Sequence, residues 1–91
     1  MLQIITSNRF EKDLKTAIKR GKDIQKLKEV IDILCIPAVL PVQNRDHSLT
    51  GEYRAFRECH IEPDWLLIYR IDLEMESLFL MRIGSHADLF K

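Results

Sequence analysis

The chain has 91 residues, 46% hydrophobic content and a formal net charge of zero, which suits one compact domain over residues 1–91 and excludes a core plus an independent second unit. It has no run near the roughly 20 apolar residues that cross a bilayer, and its first residues lack the basic and long apolar segments of a signal peptide. We therefore expect a cytoplasmic protein with no membrane partner. Its two cysteines lack a CxxC spacing, so neither a disulfide framework nor a thiolate metal site is predicted.

The zero net charge conceals an asymmetry between the two ends of the chain. Residues 1–28 carry eight Lys or Arg against three acidic residues, whereas the remainder carries six against eleven. The basic segment is dense enough to attract a polyanion. The same pattern is equally typical of the solvated face of a helix.

The first half of the chain predicts a strand followed by a helical hairpin. Residues 2–5 form a short apolar run suited to a strand, and Ser7 or Asn8 then offers a helix N-cap. Two stretches with apolar residues at helical spacing follow. They are separated by Gly21 and closed by Pro37, because glycine ends helices and proline cannot continue one.

The second half is rich in β-branched and aromatic residues, which is typical of strands. It predicts strands over residues 52–61, 65–71 and 78–83, and their short connections make them antiparallel neighbours. Ser85 then caps a final helical turn. The predicted fold class is therefore α+β: an N-terminal strand and a two-helix hairpin packed on a small antiparallel β-sheet, with a short C-terminal helical turn.

All three histidines lie in this second half, beside acidic, basic or aromatic residues. Imidazole moves protons near neutral pH because its unperturbed pKa is about 6.5. In a hairpin that turns at residues 62–64, His60 and Asp64 are neighbours, so the carboxylate can hold the imidazole in one tautomer. The alternative is that His60 is a half-exposed sheet residue and Asp64 an ordinary turn former. His86 follows the last strand, and the alternative to a catalytic role for it is a solvated loop residue. His47 precedes the sheet.

Two further side chains suit contacts with a phosphate and with an unpaired base. The planar fork of Arg82 fits a phosphate, although a salt bridge to a cross-strand acid such as Asp72 is equally compatible with the sequence. Phe90 can stack on an unpaired base, or its ring can close over the sheet edge. Three histidines and an aspartate also suit zinc, but no HxxxH or HxH pair exists, so we predict neither a metal nor a cofactor.

Three strings occur in order along the second half: DHxLxG at residues 46–51, RxCHIxPDWLLIY at 57–69 and RxGSHxxLF at 82–90. With this order and spacing, nearly the whole chain resembles the YafQ branch of the RelE/ParE toxin superfamily. The resemblance implies the same RelE-like arrangement of a helical hairpin on an antiparallel sheet. It also implies a toxin of a bacterial type II toxin–antitoxin pair that cuts messenger RNA on the translating ribosome without a metal ion.

The resemblance further implies attack by the ribose 2′-hydroxyl on the adjacent phosphorus, which leaves a 2′,3′-cyclic phosphate and a 5′-hydroxyl. By likeness to the family, His86 is the general acid, His60 or His47 the base, Asp64 the residue that orients an imidazole, Arg82 the stabiliser of the phosphorane and Phe90 the terminal aromatic. The implied partners are the ribosome, its message and a small, dimeric, DNA-binding antitoxin that forms a heterotetramer with the toxin.

Two alternatives share the same fold or the same residues. A ParE-like protein would block DNA gyrase without catalysis, although the histidines at matched positions argue against that reading. A metal-dependent hydrolase would use the same side chains as ligands.

One departure from the family is the charge, because ribosome-acting toxins of this superfamily are usually basic whereas this chain is neutral.

Overall fold

The structure, a computed structural model, describes residues 1–90. Two long helices, a short third helix and five strands make up the fold. In chain order they are β1 (Gln3–Thr6), α1 (Asn8–Lys19), α2 (Ile24–Cys35), β2 (His47–Ser48), β3 (Arg57–Glu62), β4 (Trp65–Asp72), β5 (Ser77–Gly84) and α3 (His86–Leu89). Single 3₁₀ turns at Val42–Asn44 and Gly51–Tyr53 flank β2. No helix within residues 1–90 is long and apolar enough to cross a membrane.

The predicted α+β class is confirmed, and the sheet is mixed. Its strand order is β1-β5-β4-β3-β2. β3, β4 and β5 are antiparallel neighbours, as expected, and β2 pairs antiparallel with β3 at one edge. β1 forms the other edge of the same sheet and is parallel to β5. A parallel pair needs a long crossover between its strands, and the helical hairpin begins that crossover.

The predicted strand over residues 52–61 is wrong in its first half. Gly51 adopts a left-handed φ of 65°, and Phe56 N–H then donates to the carbonyl of Tyr53 at 2.8 Å, so the chain turns before β3 begins. Glycine reaches this φ without steric cost, whereas other residues rarely do. Strand β2 was not predicted, because two residues carry no readable alternation.

The helix ends follow the sequence signals. Ser7 is the N-cap of α1, and its Oγ accepts from Phe10 N–H at 2.9 Å. Gly21, with a φ of 75°, follows the end of α1, and Asp23 caps α2 by accepting from Gln25 N–H at 3.1 Å. These caps satisfy orphan backbone donors and confirm the predicted helical hairpin.

The two faces of the sheet pack against different elements. On β4, Trp65, Leu67 and Tyr69 belong to the larger core with the two long helices. Leu66 and Ile68 point to the opposite face, where they pack with residues that include Leu89 of α3. Side chains alternate along a strand, so a strand covered on both faces is apolar throughout.

Beyond the end of β1, residues at the start of α1 form hydrogen bonds with the free edge of β5. Ser7 N–H donates to the carbonyl of Leu80 at 3.0 Å, and Ser7 Oγ donates to the carbonyl of Met81 at 2.7 Å. Six residues later, the carboxylate of Asp13 accepts from Ile83 N–H at 3.1 Å. Helix α1 therefore lies beside the last residues of β5, immediately before α3.

Candidate active site

The structure brings the three histidines together. The ring centroids of His47 and His60 lie 6.4 Å apart, and those of His60 and His86 lie 5.8 Å apart. His60 is buried with 9% exposure, while the other two rings are more accessible. Three elements that are distant in sequence thus contribute one imidazole each.

Strand register explains this convergence. Leu66 of β4 pairs with His60 of β3 on one side and with Gly84 of β5 on the other. Helix α3 begins two residues after Gly84, so its first residue, His86, arrives beside His60. On the other side of β3, His47 pairs directly with Glu58.

Backbone carbonyls determine the tautomers of two of the imidazoles. His47 Nδ1 lies 2.7 Å from the carbonyl oxygen of Arg45, and His60 Nδ1 lies 3.1 Å from that of Pro63. A carbonyl oxygen only accepts, so each Nδ1 must carry a hydrogen. In the neutral form of both residues, Nε2 is therefore free to take up a proton.

His86 is held by Asp64. Asp64 Oδ1 accepts from His86 N–H at 3.0 Å and from His86 Nδ1 at 2.9 Å. These two hydrogen bonds, the backbone one first, lower the pKa of Asp64 below its ordinary value. Asp64 is thus a carboxylate that orients the imidazole of His86 and leaves Nε2 available for proton transfer.

The predicted hydrogen bond between Asp64 and His60 is wrong. An irregularity in the β3–β4 register lies between His60 and Glu62. The turn carbonyl of Pro63 occupies Nδ1 of His60, and the carboxylate of Asp64 reaches across to the N-terminus of α3 instead. A carboxylate at a helix start meets free N–H groups, which favours this position.

Glu58 is a site residue that the sequence analysis missed. Its Oε1 lies 3.4 Å from His47 Nε2 and 3.9 Å from His60 Nε2. The residue is 4% exposed, and its Oε2 is buried with no hydrogen-bond partner in the described chain. The signal was present in the sequence: Glu58 and His60 are two positions apart on one strand and so share a face.

Three of these residues could hold a metal ion. Glu58, His60 and His86 each offer one ligand atom, and the three atoms lie within 4.8 Å of one another. A carboxylate and two imidazoles form a donor set that zinc and other transition metals accept. The prediction of no metal was based on the absence of an HxxxH or HxH pair, whereas here β3 supplies Glu58 and His60 and α3 supplies His86.

Arg82 lies in β5 and forms a forked ion pair with Asp13 of α1. Its Nε lies 2.7 Å from Asp13 Oδ2 and its Nη2 lies 3.2 Å from Oδ1, and this hydrogen bonding raises the pKa of Arg82 further. The expected alternative partner, Asp72, pairs with Arg70 instead. That alternative is therefore wrong, because α1 supplies a closer carboxylate at the edge of β5.

Phe90 borders the cluster of histidines. Its ring centroid lies 6.3 Å from that of His86 and 6.1 Å from that of Tyr53, which it meets edge-on. The residue remains 42% exposed. Its ring therefore closes against the site and still presents apolar surface to solvent.

Helix α3 is anchored by charge as well as by packing. Asp88 forms a capping box with Ser85 and an ion pair with Arg20 at 2.8 Å. The hydrogen bond from Arg20, followed by that from the Ser85 backbone, lowers the pKa of Asp88 to about 2. A Cβ added at Gly84 would lie 2.9 Å from that of Asp88, so this close approach requires glycine.

Comparison with known proteins identifies the class to which this fold and site belong. Residues 2–91 match the family of bacterial YafQ toxins of type II toxin–antitoxin systems. The chain belongs to the YafQ toxin family. It is 41% identical over 85 residues to the mRNA interferase toxin YafQ of Escherichia coli strain K12, with 92% of this chain and 90% of that protein covered. The resemblance inferred from the three strings is therefore confirmed.

Solved structures agree with this assignment. The crystal structure of a metal-bound toxin from Helicobacter pylori matches with a TM-score of 0.93 and 46% identity, and it covers 99% of this chain and 100% of that one. The E. coli DinJ–YafQ toxin–antitoxin complex matches with a TM-score of 0.89 and 40% identity, over 99% and 98% of the two chains. The fold of this chain is thus the fold of YafQ toxins.

Proposed function

We propose that this chain is an endoribonuclease that cleaves messenger RNA on the translating ribosome by metal-free acid–base catalysis. The enzyme class rests on 41% identity to an mRNA interferase toxin. The observation that best supports the chemistry is the convergence of three imidazoles, each with Nδ1 bound to an oxygen atom. Nε2 of each ring is the atom that would exchange protons with the substrate.

The reaction begins at the ribose 2′-hydroxyl of the message. Nε2 of His47 or His60 takes the hydroxyl proton as O2′ forms a bond to the adjacent phosphorus. The carboxylate of Glu58 lies within 3.9 Å of both Nε2 atoms, so it stabilises the imidazolium that forms. The base is one of these two residues, and both lie beside the same buried acid.

The leaving group departs on the other side of the phosphorus. The bond from phosphorus to O5′ breaks, and Nε2 of protonated His86 donates a proton to O5′, which gives a 5′-hydroxyl and a 2′,3′-cyclic phosphate. Asp64 orients the imidazole of His86 through its hydrogen bond to Nδ1. Arg82 stabilises the charge on the phosphorane, and Phe90 stacks on a base of the message.

Ribosome binding is assigned to one side of α1. Arg9, Lys12, Lys15 and Lys19 are exposed, and none has an ion-pair partner within residues 1–90. The other basic residues of the N-terminal segment are partly neutralised, as Lys22 and Lys26 are by Glu62. A local stripe of free cations binds RNA phosphates even when the net charge is zero.

The proposed protein partner of this chain is a cognate antitoxin. The E. coli toxin of the matched complex is bound to the antitoxin DinJ. By that likeness, this single-domain toxin is neutralised by its own small, dimeric, DNA-binding antitoxin in a heterotetramer. Its site of action is the cytoplasm, where the ribosomes are. Co-purification with the product of a neighbouring gene would test the partner directly.

The decisive experiment uses metal-stripped protein and a defined message. The protein is added to ribosomes programmed with the message and, separately, to naked message, and the RNA ends are mapped. Cuts on the ribosome alone, with cyclic phosphate and 5′-hydroxyl ends, are expected. Intact message in both reactions, together with inhibition of DNA gyrase, would instead favour the ParE-like alternative.

A second candidate function is metal binding at Glu58, His60 and His86. It is favoured by the arrangement of their ligand atoms within 4.8 Å and by the metal-bound toxin from H. pylori. An ion held there would occupy nitrogen atoms that the proposed reaction uses, so added zinc should inhibit cleavage. If the stripped protein is inactive and zinc restores cleavage, the metal-dependent hydrolase is correct.

A further inference from the structure

Arg57 holds both residues that flank His47. Its Nε and Nη2 donate to the carboxylate of Asp46 at 3.3 and 3.1 Å, and its Nη1 donates to Oγ of Ser48 at 2.7 Å. One planar guanidinium thus spans the two side chains on either side of the histidine. A lysine could not do so, because an ammonium group lacks the fork of donors in fixed directions.

Tyr69 binds the carboxylate of Asp46 from the larger core. It is 1% exposed in the larger core, and its hydroxyl donates to Asp46 Oδ1 at 2.5 Å. Burial, followed by the hydrogen bond to Asp46, raises the pKa of the Tyr69 phenol. The phenol therefore remains a donor at all physiological pH values, and Asp46 is connected to the rigid centre of β4.

The backbone around His47 is weakly supported by itself. Strand β2 has only two residues, lies at the sheet edge and follows Arg45, whose φ is 48°. Edge strands this short form few ladder hydrogen bonds. Side chains alternate along a strand, so Asp46 and Ser48 point away from His47 toward Arg57, and His47 points toward Glu58.

We propose that Arg57, together with Asp46 and Tyr69, is a positioning network for His47, and this inference rests on the proposed function. By holding both neighbours of His47, the network maintains Nε2 of that residue at 3.4 Å from Glu58. Arg57, Asp46 and Tyr69 act through His47 and do not touch the reacting atoms.

The test is Arg57→Lys, which retains the positive charge. Arg70→Lys is the matched control, since Arg70 is also a strand arginine paired with an aspartate, Asp72, and stacked on Phe79. We expect single-turnover cleavage on programmed ribosomes to slow roughly 10- to 100-fold in Arg57→Lys, because small displacements of a reacting group are costly. Arg70→Lys should stay within about 2-fold of the wild-type rate.

Epistasis separates positioning of His47 from an independent effect. In a His47→Ala background, Arg57→Lys should slow cleavage by less than about 2-fold, since the group that it positions is gone. An equal loss in both backgrounds would mean that Arg57 acts without His47, for example on the message, and would overturn the proposal.

A structural measurement keeps the inference separate from the proposed function. The imidazole resonances of His47 are followed by NMR in the free protein, with those of His86 as an internal reference. Arg57→Lys and Tyr69→Phe should both shift or broaden the His47 signals and leave the His86 signals in place. Unchanged His47 signals in both variants would overturn the network even if the wild type is an active nuclease. If the signals shift but the wild type cleaves no RNA, the nuclease proposal fails instead, and with it the catalytic purpose of the network.

Discussion

The two faces of the sheet differ in the size of their apolar cores and in the polar residues that they bury. The face under the long helices is closed by large apolar side chains such as Trp65, Leu67 and Tyr69. The opposite face has a small apolar cluster around Leu66 and Ile68, and Glu58 and His60 lie beside it. The larger apolar core under the helices offsets the free-energy cost of burying Oε2 of Glu58, which has no hydrogen-bond partner within residues 1–90.

The largest effect on the chemistry is expected at His86. His86→Ala removes the proposed general acid, so cleavage should fall roughly 10²- to 10⁴-fold. The urea midpoint should hardly change, because the His86 side chain is 57% exposed. Rates are measured on programmed ribosomes, and unfolding is followed by circular dichroism. Growth arrest that survives this substitution would favour the gyrase-inhibitor alternative.

The largest effect on stability is expected on the helix-covered face. Leu67 has 0% exposure in the larger core, so Leu67→Ala should lower the free energy of unfolding by about 2–5 kcal/mol. Urea unfolding measures the loss. Leu73→Ala is the matched control, since Leu73 is 68% exposed, and it should change the free energy of unfolding by less than about 0.5 kcal/mol. Similar losses in both variants would contradict the assignment of Leu67 to the larger core.

Glu58→Gln tests the face that carries the histidines, where we expect a loss of activity without a loss of stability. Glutamine keeps the shape of the side chain and removes its charge, so cleavage should fall while the free energy of unfolding holds or rises by up to about 1 kcal/mol. The pair of measurements is again the ribosomal cleavage rate and urea unfolding. A marked loss of stability without a loss of activity would make Glu58 a structural residue.

The smallest effect concerns the attachment of α3 at low pH. The folded pKa of Asp88 is about 2, below the unfolded value of about 3.9. Asp88 therefore contributes stability above about pH 4, and this contribution is lost as the pH falls toward 2. We expect the NMR signals of Phe90 to change more over that window in the wild type than in Asp88→Asn, where only Asp64 beside His86 still titrates near the ring. Asp32→Asn, which removes an exposed carboxylate paired with Lys28 on α2, is the control and should behave as the wild type.

Local signals in the sequence determined the helices, four of the five strands and the identity of the family, although β3 begins later than predicted. Caps such as Ser7 and Asp23 and the apolar run of β4 act over a few residues, so they can be read directly. The prediction that His47, His60 and His86 meet depended on the resemblance, and the structure agrees with it. Their catalytic roles remain predictions.

Only the tertiary structure decided which side chains of the site contact each other. Asp64 binds His86, which lies 22 residues away, and Asp13 binds Arg82, which lies 69 residues away. Glu58 entered the site in the same way, through the register that places His47 opposite it. Such contacts depend on strand order, on register and on where α1 meets the edge of β5. These are set by the packing of the whole chain, since a shift of one residue in register would move every side chain to the other face.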